Sequence, residues 1–109
     1  MELKNKKCVP CEGGIPPLNN DQINAFMSMI GKEWFVVENK KIVKEFHFVN
    51  FRHTMNFVNN VAEIAEKEGH HPDIFISYAR CRLELWTHAI KGLSENDFIL
   101  AAKIDDIQL

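Results

Sequence analysis

The sequence predicts an α+β domain in two layers, a four-stranded antiparallel sheet with helices packed on one face, in the order helix-β-β-helix-β-β-helix. Three observations predict it. Two pairs of short segments rich in β-branched and aromatic residues are each joined by a short link, and short links make antiparallel neighbours because parallel pairs need long crossovers. Helical signals precede, separate and follow these pairs, as apolar residues three and four apart or as capping residues. A chain of 109 residues supports one core and not two.

The elements follow in order. Residues 1–17 read as an irregular lead-in, because Cys8-Val9-Pro10-Cys11-Glu12-Gly13-Gly14-Ile15-Pro16-Pro17 is rich in Pro and Gly, which resist helix and central strand. The domain proper is residues 18–109. Asn20 caps a short helix reaching residue 30, with Ile23, Phe26, Met27 and Ile30 on its buried face and Gly31 as its stop. Strands are predicted over 34–37 and 42–49, with Glu38-Asn39-Lys40-Lys41 turning between them and Ile42, Lys44, Phe46 and Phe48 sharing one face. The longest helix spans 50–68 and places Phe51, Met55, Val58, Ala62 and Ala65 on one stripe, ended by Gly69. A second strand pair covers 74–78 and 81–87. Ser94 then caps a last helix whose first turn carries Glu95 and Asp97.

Composition excludes several classes. The formal net charge is −2 and the basic residues are scattered among acidic ones, so no stripe can track a nucleic-acid backbone. No apolar run approaches the roughly 18 to 20 residues that cross a bilayer, and the polar residues 1–7 have no apolar stretch behind them, so neither a signal peptide nor a membrane span is expected. Three cysteines, Cys8, Cys11 and Cys81, are an odd set in a chain with apolar residues enough to fold unstapled, which fits a reducing cytoplasm.

Chemistry concentrates on histidines. Of five, His70, His71 and His88 fall where elements end, the places where binding and catalysis are usually built. Pro72 fixes the local backbone and biases His71 toward an extended conformation, so the two adjacent imidazoles point apart and can take different tasks. Imidazole ordinarily titrates near pH 6.5, so two of them facing one substrate make an acid and base pair. His47 and His53, in a strand and a helix without polar neighbours, read as structural. Zinc is disfavoured, because Cys8-x-x-Cys11 stands alone and no His-x-x-x-His occurs; the same pair lacks the βαβ context of a redox motif. No phosphate loop or nucleophile elbow is present, and Ser94 has a capping role. Cys81 reads as a small buried hydrophobe. Phe75, Tyr78 and Trp86 could flank a flat ring, although sheet aromatics are more often core; Arg80, Arg82 and Glu84 read as a solvated strand face or a subunit contact.

One ordered set is more specific: Glu66-x-x-x-His70-His71-Pro72, then Tyr78, then Trp86-Thr87-His88, then Gly92-Leu93-Ser94 and Asp97. With it the chain resembles the pterin-4a-carbinolamine dehydratases over nearly its whole length. The lead-in Cys8-x-x-Cys11-x-Gly13-Gly14-x-x-Pro17-Leu18 is similar to the start of many bacterial members. The resemblance implies dehydration of 4a-hydroxytetrahydrobiopterin to quinonoid dihydropterin after turnover of an aromatic amino acid hydroxylase, without metal or cofactor. It implies catalytic positions His70, His71, His88 and Asp97, with His70 and His88 as acid and base and His71 holding the pterin. Glu66, Pro72, Trp86 and Thr87 are implied for the substrate, Glu66 also as an orienting partner. Read without the resemblance, Glu66 is a solvent-facing helix residue, Thr87 a strand residue and Asp97 a helix-terminus acid. A homodimer or homotetramer is implied as well. So is a rival function, because animal members double as dimerisation partners of a homeodomain transcription factor.

Overall fold

A computed structural model describes residues 2–10 and 13–108, and its elements follow the predicted order. They are α1 (Asn20–Met27), β1 (Phe35–Val37), β2 (Lys41–His47), α2 (Phe51–Glu68), β3 (Asp73–Ser77), β4 (Arg80–Leu85) and α3 (Glu95–Asp105), with short 3-10 helices at Leu3–Asn5 and His88–Ile90. The four strands form one sheet in the order β1-β2-β4-β3 with every neighbouring pair antiparallel. The α+β architecture is therefore as predicted.

The first turn holds Glu38 and Asn39 at φ 53° and 58°, a left-handed pair whose twist matches the strands it joins. Across the two central strands Ile42 faces Leu85, Lys44 faces Leu83 and Phe46 faces Cys81. These residues share the helix-covered side, where the Phe57 ring of α2 lies 4.5 Å from that of Phe46. Cys81 is wholly buried there, as a small hydrophobe should be. On the opposite side Phe35 and Phe75 are exposed. Glu84 departs from its predicted solvated role: it is buried on that side, held by Lys41 at 2.7 Å and Arg82 at 3.2 Å.

Three local readings are corrected. Asn19, not Asn20, caps α1, because Asn19 and Gln22 exchange side-chain to backbone hydrogen bonds of 2.9 Å each. The helix ends at Met27 with Ser28 as its cap, so Gly31 does not stop it. In α2 the buried stripe runs through Thr54, Phe57, Val58, Val61 and Ala65, while Phe51 is exposed. Thr54 hides from a hydropathy count, yet its burial costs little because its hydroxyl donates to Asn50 O at 3.0 Å.

Gly31 has another task. Its N–H donates to Asp105 Oδ2 at 2.9 Å, Trp34 Nε1 donates to Asp105 Oδ1 at 2.9 Å, and Lys44 pairs with the same carboxylate at 3.0 Å. An acid in the last turn of α3 opposes the helix dipole, and these three donors offset that cost. A Cβ at position 31 would meet Asp105 Oδ2 at 2.9 Å. We expect Gly31→Ala to lower stability by about 1–3 kcal/mol, read as a shifted denaturant midpoint.

Candidate active site

Gly69 ends α2 at φ 67°, and the chain passes His70, His71 and Pro72 before β3 begins at Asp73. Asp73 pairs with Glu84, one residue short of the end of β4, so this link lies beside the segment that leaves β4 through Trp86, Thr87 and His88. Thr87 closes that segment by bridging to Gly92, with Lys91 left-handed at φ 52° between them. Two connections distant in sequence thus meet at one end of the sheet, and α3 starts beneath them.

Asp97 joins the two connections. Its side chain is 0% exposed, and both oxygens are engaged. Oδ1 lies 2.6 Å from His70 Nε2; Oδ2 accepts from Thr87 Oγ1 at 2.8 Å and from Ser94 N at 3.0 Å. Since the Thr87 hydroxyl gives its one proton to Asp97, the 2.7 Å contact between Thr87 and Ser94 must have Ser94 Oγ donating. Neutral His70 facing a carboxylate through Nε2 carries its proton there, which leaves Nδ1 unprotonated and able to accept one. Asp97 is therefore the helix-terminus acid and the partner of His70 at once, and Thr87, beyond the end of β4, is the relay that fixes its second oxygen.

The other imidazoles are more open. His71 Nε2 lies 2.6 Å from Glu66 Oε2, an exposed pair that links the last turn of α2 to the segment following it. His88 stacks on Trp86 with ring centroids 3.8 Å apart and planes 22° from parallel. Trp86 is itself held by Asp73, whose Oδ2 accepts from Nε1 at 2.8 Å. His70, His71, Pro72, Trp86, Thr87 and His88 line one cleft of about 390 Å³. Asp97 and Glu66 contact His70 and His71 through their Nε2 atoms without lining the cleft themselves. Phe75 and Tyr78 are exposed and outside the cleft, so of the three aromatic candidates only Trp86 reaches it. His47 and His53 also lie outside it.

Four further residues of the cleft carry no reading from the sequence: Asp73, Ala89, Asn96 and Val9. Asp73 directly follows the His-His-Pro run and Asn96 directly precedes Asp97, so adjacency was the available signal. Val9 carried none, being an apolar residue in a segment read as irregular. A larger hollow of about 620 Å³ lies beside Leu3 and Gly31, but its three acids are already paired, Asp105 with Lys44 and both Asp106 and Glu2 with Lys4. Among the described residues no three His, Cys, Asp or Glu side chains gather as a metal site. Cys11, half of the Cys-x-x-Cys pair, lies outside the described residues. Burial pushes the Cys8 thiol up to about 12, with the Glu68 and Asp97 charges adding to the effect, and burial alone raises Cys81 to about 11. Neither is a thiolate at neutral pH.

The cleft thus brings together a histidine held by a buried aspartate and a second histidine stacked on a tryptophan. The chain belongs to the family described as pterin 4 alpha carbinolamine dehydratase, whose model matches residues 16–107. A Rickettsia bellii protein named "Putative pterin-4-alpha-carbinolamine dehydratase" is 49% identical over 106 residues, covering 97% of this chain and 94% of that protein. A Nitrosospira multiformis protein of the same name is 51% identical over 106 residues, covering 97% and 92%. Among solved structures, a transcriptional coactivator/pterin dehydratase from Brucella melitensis matches with a TM-score of 0.75 at 30% identity, over 81% of this chain and 94% of that one. A pterin dehydratase-like RuBisCO assembly factor of the alpha-carboxysome, at 23% identity and a TM-score of 0.57, shares the fold.

Proposed function

We propose that the protein dehydrates 4a-hydroxytetrahydropterin to quinonoid dihydropterin by general acid and base catalysis, and so returns the pterin spent by an aromatic amino acid hydroxylase. The observation that carries this is the His70–Asp97 contact of 2.6 Å within the same cleft as the stacked His88.

The reaction breaks the C4a–O bond and forms a C4a=N5 double bond. The departing hydroxyl takes one proton and leaves as water, and N5 releases one proton. The atoms balance with two proton transfers and no change of oxidation state, which is work that two imidazoles can do at neutral pH. His70, with Nδ1 free to accept, and His88 are the proton-transfer pair. Among the described residues neither nitrogen of His88 has a hydrogen-bond partner in the protein, which leaves both for the substrate. Glu66 orients His71 against the ligand, Pro72 fixes the backbone between His71 and β3, and Trp86 offers an apolar face to the ring. The fixed Thr87 and Ser94 donors keep Asp97 in place throughout.

The test follows loss of 4a-hydroxytetrahydropterin absorbance, with the substrate made in situ by an aromatic amino acid hydroxylase. Purified protein should accelerate it, and exhaustive chelation should leave the rate unchanged. A folded protein that gives no acceleration overturns this reading, and a rate lost to chelator and restored by metal overturns the metal-free mechanism.

Assembly as a homodimer or homotetramer is part of the same proposal. β3 is an edge strand carrying exposed Phe75 and Ile76, an open template for a second copy. The same surface favours the second reading, an interaction module, since exposed apolar strand edges serve foreign partners as well. Sedimentation of the purified protein separates them: a stable homomer occupies the edge, whereas a monomer leaves it to another protein.

A further inference from the structure

We propose that Val9 is a specificity-determining wall of the cleft and that Asn96 is the positioning residue that holds it there. The inference rests on reading the cleft as a pterin site. Residues 8–10 cross the start of α3, and Val9 lines the same cleft as Trp86 and His88. Val9 N donates to Asn96 Oδ1 at 2.9 Å, and Asn96 Nδ2 donates to Val9 O at 2.6 Å. A side-chain amide is the group that can satisfy the donor and the acceptor of one backbone residue together, as a neighbouring strand would. Asn96 is 5% exposed and adjoins Asp97, so the wall is keyed to the same helical turn that fixes His70.

The residue before it is anchored as firmly. Cys8 N donates to Glu68 Oε1 at 2.9 Å, and the Cys8 thiol donates to Asn96 O at 3.5 Å. Held as a neutral thiol, Cys8 adds no further anion beside Asp97 and Glu68. Against this anchored backbone the Val9 side chain is 67% exposed. A core role does not account for it: the side chain contributes little to folding, yet its position is defined by hydrogen bonds on both sides. An apolar group fixed at the edge of a polar cleft offers dispersion contact to a flat ring and excludes water from it.

The experiment uses the full chain with Val9→Ser, which keeps the backbone clamp, and Asn96→Ala, which releases it. Steady-state turnover of 4a-hydroxytetrahydropterin is paired with binding of 7,8-dihydrobiopterin, read by tryptophan quenching. We expect Val9→Ser to raise KM and the dihydrobiopterin Kd about fivefold with kcat within about twofold and melting unchanged. Asn96→Ala should raise both by at least as much. Wild-type KM and Kd in Val9→Ser overturn the inference, as does an Asn96→Ala protein that loses melting temperature and kcat while its Kd stays put. A wild-type protein that neither turns over nor binds pterin overturns the reading of the cleft and this inference with it. An active wild type with unaltered variants overturns this inference alone.

Discussion

His88→Ala is expected to lower kcat by about 10²–10⁴-fold while leaving thermal unfolding within about 1 kcal/mol of wild type. The imidazole is exposed and stacks on Trp86, whose indole keeps its hydrogen bond to Asp73 without it. His70→Ala should cost a similar factor in rate but should not be silent in stability. Loop-end position suggests that both histidines can be removed without harm to the fold, and for His70 the structure argues otherwise. Its side chain is mostly buried, and removing it leaves Asp97 Oδ1 without a partner in the interior. An unpaired buried acceptor costs about 1–3 kcal/mol, or roughly 4–8 °C in melting temperature for each kcal/mol in a domain of this size. Paired kinetics and melting curves on the two variants therefore separate a residue that only reacts from one that also supports the fold. Unchanged kcat in both would remove histidine catalysis from the mechanism.

The order of elements was legible because its signals are local. Hairpin links, β-branched runs and capping residues act over a few positions, and Ser94 and Asp97 marked the start of α3 correctly. That His70, His71, Pro72, Trp86, Thr87 and His88 belong together is legible for a different reason, as an ordered motif at element ends that the fold gathers in one cleft. Tertiary choices were hidden. Two stripes compete on α2, and the sheet selected the one through Phe57, whose ring meets both Phe46 and Phe48. Pro and Gly in its second half give the lead-in an irregular look in the sequence. Yet Leu3 is only 6% exposed in the core cluster, and Lys6 pairs with Glu95 on α3. A single buried leucine among polar residues has no period to detect, and an ion pair across the chain leaves no local trace. Asp97 shows the same limit within one residue: its capping role follows from spacing, whereas its complete burial and its grip on His70 depend on where two remote loops arrive.

Asp97 also separates geometry from charge. Asp97→Ala should destabilise the protein by about 2–4 kcal/mol, because Ser94 N–H, the Thr87 hydroxyl and His70 Nε2 all lose the acceptor they share. Loss of activity in that variant would say little about chemistry. Asp97→Asn is more informative. An amide oxygen at the Oδ2 position still accepts from Ser94 N and Thr87 Oγ1, so the loss of stability should be the smaller of the two. The amide nitrogen then faces His70 Nε2, where two N–H groups cannot meet. Neutral His70 must move its proton to Nδ1, the nitrogen left free for the substrate, and the ring can no longer accept a proton there. We therefore expect Asp97→Asn to remain folded, with kcat reduced at least about a hundredfold and KM little changed. Nitrogen-15 chemical shifts of His70 would report the tautomer directly. A folded Asn variant with wild-type kcat would mean that Asp97 is there for helix capping alone and that the acid and base pair lies elsewhere in the cleft.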